Sequence, residues 1–359
     1  MEHVNFEYDF HKHYKLALKK TSYMGKGLSG LLNLGNKCFM NSILQCLSNN
    51  VKLTDYMISG KAAQDVNKER PEYYMYLSYF NLLNHLWDTN QILRPKTFVE
   101  NISKFHKKYF TLQQQDSHEF LLYFLDLLHK SVAYEIEIDI SGEIKYPKDV
   151  LMRDSIQVWK KFYEKDYSMI VEYFHGMTKT DMTCNSCNFN EKIFEPYNSL
   201  GIDLNYNTLQ DCLTDNFRNE IVNDWKCEKC NELGGNKYNK IWTLPETLII
   251  NLKRFKNKSN AKNEQFINYP IQDLDLSSLI SQDKQDPNVY IYDLYAVNYH
   301  HGDLNGGHYW SACKNLDETW YGFNDANVYK FNNTEQIVSK DAYILFYRRK
   351  YIKKKEIVV

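Results

Sequence analysis

The hydrophobic pattern of this chain changes character once, near residue 135, and that change limits the fold more than any other feature. Before it, apolar residues recur at helical spacing. Phe39, Met40, Ile43, Leu44 and Leu47 share one face of segment 36–49, and similar patterns run through 73–87, 95–106 and 116–132. Asp116 with Glu119 three residues later has the spacing of a capping box. Beyond residue 135, alternating and β-branched stretches predict strands at 173–179, 191–202, 247–252, 289–298, 308–313, 319–323 and 342–347. Polar loops are expected at 256–265 and 277–288. Helices first and a mainly antiparallel sheet afterwards make an α+β protein, and 359 residues suffice for one large or two intimately packed units.

Composition removes several function classes. Forty-four basic side chains nearly cancel 45 acidic ones, so no broad positive field points to nucleic acid. Seven Pro and 14 Gly are too few for a linker-rich chain. The first 23 residues carry no apolar run of the kind a signal peptide needs, and no stretch approaches the roughly 20 apolar residues of a membrane helix. The expectation is an intracellular protein, cytoplasmic or nuclear rather than secreted, with no membrane or nucleic-acid partner. A monomer is expected. Lys353–Lys355 and the residues before them form a basic tail, which ordinarily is only a solvated end.

Eight cysteines in such a chain point to metal or catalysis rather than disulfides. Cys184 and Cys187, then Cys227 and Cys230, form two C-x-x-C pairs with 39 residues between them, the spacing of two knuckles that supply four thiolates to one structural zinc. Cys46, Cys212 and Cys313 have no such companions and are expected to pack as apolar residues.

Cys38 differs from all of these. It follows a Gly- and Asn-containing turn and begins a predicted helix, where the positive dipole end and free N–H groups favour a thiolate. A lone cysteine is ordinarily a small buried residue, so a nucleophile also needs a base and a group to orient it. His308 lies in Gly306-Gly307-His308-Tyr309-Trp310, and Asn324 and Asp325 follow sixteen residues later, beyond an aromatic strand. The order Cys, His, Asn is that of papain-like thiol proteases. Asn33, five residues before Cys38, is a candidate side-chain donor to an oxyanion.

At these residues the chain resembles the ubiquitin-specific proteases. The resemblance rests on Gly30-Leu31-Leu32-Asn33-Leu34-Gly35-Asn36-Lys37-Cys38-Phe39-Met40-Asn41-Ser42, on Gln113-Gln114-Gln115-Asp116-Ser117-His118-Glu119-Phe120, and on Leu244-Pro245-Glu246 continuing to Leu252-Lys253-Arg254-Phe255. It is completed by Tyr295–Gly302, Gly306–Tyr309 and Trp320–Asp325. Four motifs stand in the family's order over about residues 28–348. They imply a papain-like cysteine peptidase fold with a helical thumb (28–165), zinc-ribbon-like fingers (166–245) and a palm of antiparallel strands (246–348), flanked by an N-terminal extension (1–27) and a basic tail (349–359).

The implied activity is hydrolysis after the C-terminal Gly-Gly of ubiquitin, with ubiquitin and ubiquitinated proteins as partners. Another ubiquitin-like modifier, or a catalytically inactive relative that keeps the ubiquitin grip, are the alternatives. Cys38 would be nucleophile, His308 base, Asn324 or Asp325 its orienting group, and Asn33 an oxyanion donor. Gln115, Asp116, Glu119, Gly306, Gly307 and Tyr309 would hold the ubiquitin tail. The cysteine pairs fall where the family has its fingers, so zinc would be structural and no catalytic cofactor is implied. One departure is Lys37, where the family usually has a small hydroxyl residue; a cation there would either lower the thiol pKa or crowd the oxyanion.

Overall fold

Aromatic residues at helical spacing decide how the first half packs. The computed structural model describes residues 23–109, 111–255, 262–284, 290–303 and 306–350. Most of the N-terminal extension, residues 256–261 of the first polar loop, Asn305 and the tail from 351 onward lie outside the described residues. Two compact units are present: one draws on residues 1–171 and 306–334, the other on 172–305 and 335–359.

The first unit holds α1 (Cys38–Ser48), α2 (Val51–Ile58), α3 (Ala62–Asp65), α4 (Tyr73–Asp88), α5 (Lys96–Phe105), α6 (Ser117–Val132) and α7 (Pro147–Tyr163), and α8 (Met169–Phe174) begins in it. Two of these helices start where a side chain satisfies free N–H groups. Asn50 accepts from Leu53 N at the head of α2, and Asp116 accepts from His118 N and Glu119 N at the head of α6. Phe39 of α1 meets Phe120 of α6 edge-on at 5.6 Å, and Phe124 extends the cluster to Tyr79 and Phe98 at 5.1 and 5.3 Å. These side chains are almost wholly buried, and each such ring removes a large apolar area from water. The strands Gly307–Lys314 and Trp320–Asn324 pack on α1, and Trp320–Asn324 also pairs antiparallel with Asn327–Lys330.

Helix continues past residue 135, contrary to the predicted change of character there. The helix α7 buries only Leu151, Ser155 and Tyr163, so its sequence carries little of the apolar stripe that marks a helix. The strand expected at 173–179 begins at Gly176, because α8 runs through Phe174.

The second unit is mainly strand, with α9 (Leu209–Asn216) and two sheets. In the first, Thr247–Leu252, every residue of it buried, pairs antiparallel with Ala342–Arg349, which pairs antiparallel with Ile291–Gly302; Leu200–Ile202 joins the other side of Thr247–Leu252 in parallel. A second sheet of four strands runs in the order Asn190–Tyr197, Gly176–Cys184, Leu233–Thr243, Asn219–Lys226, all antiparallel. Within the stretch expected as loop from 277 to 288, Ser277–Leu279 and Gln282–Lys284 are single 3-10 turns. Among the described residues no helix is long and apolar enough to cross a membrane.

Candidate active site

The turn before α1 is built from residues that tolerate left-handed backbone. Gly35 and Asn36 have φ of 82° and 51°, which lets the chain reverse and enter α1 at Cys38. Asn33 Oδ1 accepts from Lys37 N at 2.8 Å and so closes the turn. The Cys38 side chain is 2 % exposed, at the first position of the helix.

His308 is the second residue of the strand Gly307–Lys314. Its Nε2 meets Asn324 Oδ1 at 2.6 Å, which leaves Nδ1 as the nitrogen available to sulfur. The imidazole is raised to about 9, first by its hydrogen bond with Cys38, then by the bond to Asn324 and by the charges of Cys38 and Asp325. The buried His300, by contrast, is pushed down to about 4, mainly by desolvation. Of these two histidines in the His-containing motif, only His308 is set up to hold a proton near neutral pH.

Asn324, and not Asp325, is therefore the hydrogen-bonding partner of His308. The reason is a two-residue hairpin: Asn324 pairs with Asn327, and Asp325 lies in the turn with φ of 49°. That conformation sends the Asp325 carboxylate to Asn33 Nδ2 at 3.0 Å and Asn41 Nδ2 at 2.8 Å. The hairpin is seated on the strand Gly30–Leu31, where Leu31 N donates to Asp325 O at 2.8 Å and a Cβ on Gly30 would lie 2.2 Å from Ala326 O. Asn33 is thus held from both ends. Its amide nitrogen has two hydrogens, and Asp325 takes one of them.

Lys37 lies close enough to Cys38 for the two charges to interact. Its ammonium donates to Thr111 O, and burial draws its pKa down. The residues expected around a bound tail are dispersed along this unit. Asp116 caps α6, while Glu119 is paired with Lys108 instead of reaching back to complete a capping box. Tyr309 is buried with its phenol against Ser117, and burial pushes its pKa up. Gln115 is half-buried, but its neighbour Gln114 is the residue that contacts the glycine pair, with Oε1 accepting from Gly307 N at 2.8 Å and Nε2 donating to Gly307 O. Sequence reading passed over Gln114 because nothing in a run of three glutamines ranks one above another. A Cβ added at Gly306 would meet nothing within 4 Å, so packing of the chain itself does not require glycine there.

Far along the sequence, in the second unit, Cys184, Cys187, Cys227 and Cys230 bring four sulfurs within 4.8 Å of one another. Each pair is followed by an asparagine in left-handed conformation, Asn188 at φ 57° and Asn231 at 61°, which turns the strand back. Cys184 and Cys230 sulfurs are 3.6 Å apart, Cys187 and Cys227 sulfurs 3.7 Å. A tetrahedron of zinc–sulfur bonds has edges of about 3.8 Å, whereas a disulfide needs about 2.05 Å, so the donor set fits zinc. The Cys187 backbone N–H, the leading cause, draws the Cys184 thiol down to about 6.

A family model described as ubiquitin carboxyl-terminal hydrolase matches residues 29–347. The chain belongs to this family. Ubiquitin carboxyl-terminal hydrolase 2 of Bos taurus is 32% identical over 344 residues, which cover 91% of this chain and 56% of that protein. The protein of the same description from Gallus gallus is 33% identical, with 91% and 95% covered. The chain thus spans little more than half the length of the first of these relatives. Among solved structures, a chain of the SAGA Ubp8/Sgf11/Sus1/Sgf73 DUB module bound to ubiquitin aldehyde superposes with a TM-score of 0.73 at 25% identity, covering 91% of this chain and 70% of the other. The family and the thiol-peptidase fold expected from sequence accord with these matches, and the expected cysteine cluster accords with the sulfur distances.

Proposed function

We propose that this protein is a thiol hydrolase that cleaves the isopeptide or peptide bond after the C-terminal Gly-Gly of ubiquitin. The observation that carries the reading is the arrangement of Cys38 at a helix start, hydrogen-bonded to a His308 whose far nitrogen is fixed by Asn324. His308 takes the thiol proton, and the thiolate attacks the carbonyl of the terminal glycine. The tetrahedral oxyanion forms beside the N–H groups at the start of α1 and the remaining Asn33 amide hydrogen. His308 then gives its proton to the leaving amine, a thioester on Cys38 remains, and water activated by the same imidazole hydrolyses it. The ubiquitin-bound relative and the family membership support ubiquitin as the acyl donor, and Gly306, which no internal packing calls for, fits the passage of an extended glycine tail. Cys184, Cys187, Cys227 and Cys230 would hold a structural zinc that cross-links two knuckles without an open position for catalysis. The test is ubiquitin bearing an electrophile at its C-terminus, incubated with wild type and Cys38→Ala beside a probe made from another ubiquitin-like modifier. An adduct of wild type with the ubiquitin probe alone supports the reading; preference for the other probe, or no adduct at all, rejects it.

A further inference from the structure

The six residues 111–116, just before α6, touch both sides of the candidate site. Where this strap begins, Thr111 O accepts from Lys37 Nζ and Leu112 O accepts from Asn36 Nδ2 at 2.6 Å. Those donors are the last two residues before Cys38. Toward its end, Gln114 grips both polar groups of the Gly307 backbone, the residue immediately before His308. The strap then ends on Asp116, which is tied to the 16-residue helix α6 by its cap. One short segment thus links the approach to the nucleophile, the approach to the base and a rigid element.

The need for such a link follows from the glycines. Gly306 and Gly307 lead into His308 with more backbone freedom than any other residues would have, and Gly306 has nothing packed on its Cβ side. Gly307 is also the first residue of the strand that carries His308, so whatever fixes its backbone fixes where that strand begins. We propose that Gln114 is a positioning residue: its paired hydrogen bonds fix the Gly307 backbone, and through it the His308 imidazole, against Cys38. Lys37 supports the same strap from the other end. A buried ammonium is costly to desolvate, and donation to the Thr111 carbonyl offsets part of that cost, so the lysine helps to hold the turn.

The effect on turnover rests on the hydrolase reading, but the geometry can be tested without ubiquitin. Gln114→Met keeps the length of the side chain and removes both bonds. It is expected to lower kcat on a ubiquitin C-terminal fluorogenic amide by about 10- to 100-fold with KM within about twofold, the signature of misplaced reacting groups. The His308 ring, followed by proton NMR, should titrate near 9 in wild type and shift in the variant toward the ordinary 6.5 as the imidazole leaves its partners. Lys37→Met should move both readouts in the same direction by less. If Gln114→Met melts far below wild type, Gln114→Glu, which keeps the acceptor for Gly307 N, takes its place and should lose less kcat. An unchanged kcat, a loss confined to KM, or an unmoved His308 titration overturns the proposal. A wild type inert toward ubiquitin but with the NMR shift intact would fail the hydrolase reading and leave the strap standing.

Discussion

Two regions of this molecule are built around cysteine, and they use opposite surroundings. Cys38 stands alone at the start of α1, with one imidazole as hydrogen-bonding partner and backbone N–H groups beside it. Cys184, Cys187, Cys227 and Cys230 have one another, held by two turns so similar that each ends in a left-handed asparagine. The nucleophile proposed at Cys38 must be able to form a new bond to carbon, and its environment supplies one reversible proton partner. A structural ligand set of the kind proposed for the other four has to close its coordination shell, and each sulfur there has three more beside it. Cys46, farther along the same helix as Cys38, shows what happens with neither: burial pushes its pKa well up, with a hydrogen bond to Cys313 adding to the rise. Reactivity is therefore decided by what surrounds the sulfur.

The sharpest way to break this comparison is to remove one sulfur from each region. Cys38→Ala should reduce ubiquitin hydrolysis by about 10⁴-fold or more, since no other group can form the thioester. Zinc content, measured by atomic emission on the purified protein, should stay the same as in wild type. Residual turnover near the wild-type level would mean that another residue attacks.

A second substitution sharpens the comparison inside the candidate active site. Asn324→Ala removes the acceptor for His308 Nε2 and should cost about 100-fold in kcat, in the range of general acid–base contributions. Asp325→Asn should act differently, by loosening Asn33 and Asn41, so that the loss appears without a comparable change in the orientation-dependent His308 bond. Equal His308 titration curves for the two variants would contradict the assignment of Asn324 as the partner.

That choice between neighbours marks the limit of what sequence could tell. The four paired cysteines were legible because a tetrathiolate site demands that residue type at that spacing, and Cys38 and His308 stood out through the motifs that resemble the family's. Asn324 and Asp325 were not separable, since a two-residue turn with one left-handed position decides which side chain faces the imidazole. Gln114 was hidden for a related reason: residues 111–116 form neither helix nor strand, so no periodicity says which glutamine points inward. In the fold, Thr247–Leu252 was plain from its β-branched, mostly apolar run, whereas Asn219–Lys226, largely exposed at a sheet edge, had no buried face to give it away. The helix α7 escaped notice through the same lack of burial.

Metal removal probes the other region. Cys227→Ser, or exhaustive chelation, should lower the melting temperature by about 10 °C by releasing the cross-link between two knuckles. The rate at which iodoacetamide alkylates Cys38 should change by no more than about twofold, because that thiol draws on no metal. If chelation instead left melting untouched, the cluster would not be a structural metal site.

The smallest effect concerns protons. His308 titrates near 9 in the folded chain and near the ordinary 6.5 when unfolded, so between these values the folded state binds more protons. Stability from this source is then fully present below pH 6.5 and is lost as pH rises through 9. The imidazole is partly exposed to solvent, which screens the interaction, and the expected loss is about 1 kcal/mol rather than the larger figure the bare shift would give. Urea unfolding of wild type and His308→Gln at pH 6 and pH 9.5 isolates it: the wild type should lose that increment and the variant should not. A parallel fall in both proteins would assign the pH dependence to other groups and leave the Cys38–His308 pair with no measurable share in holding the fold.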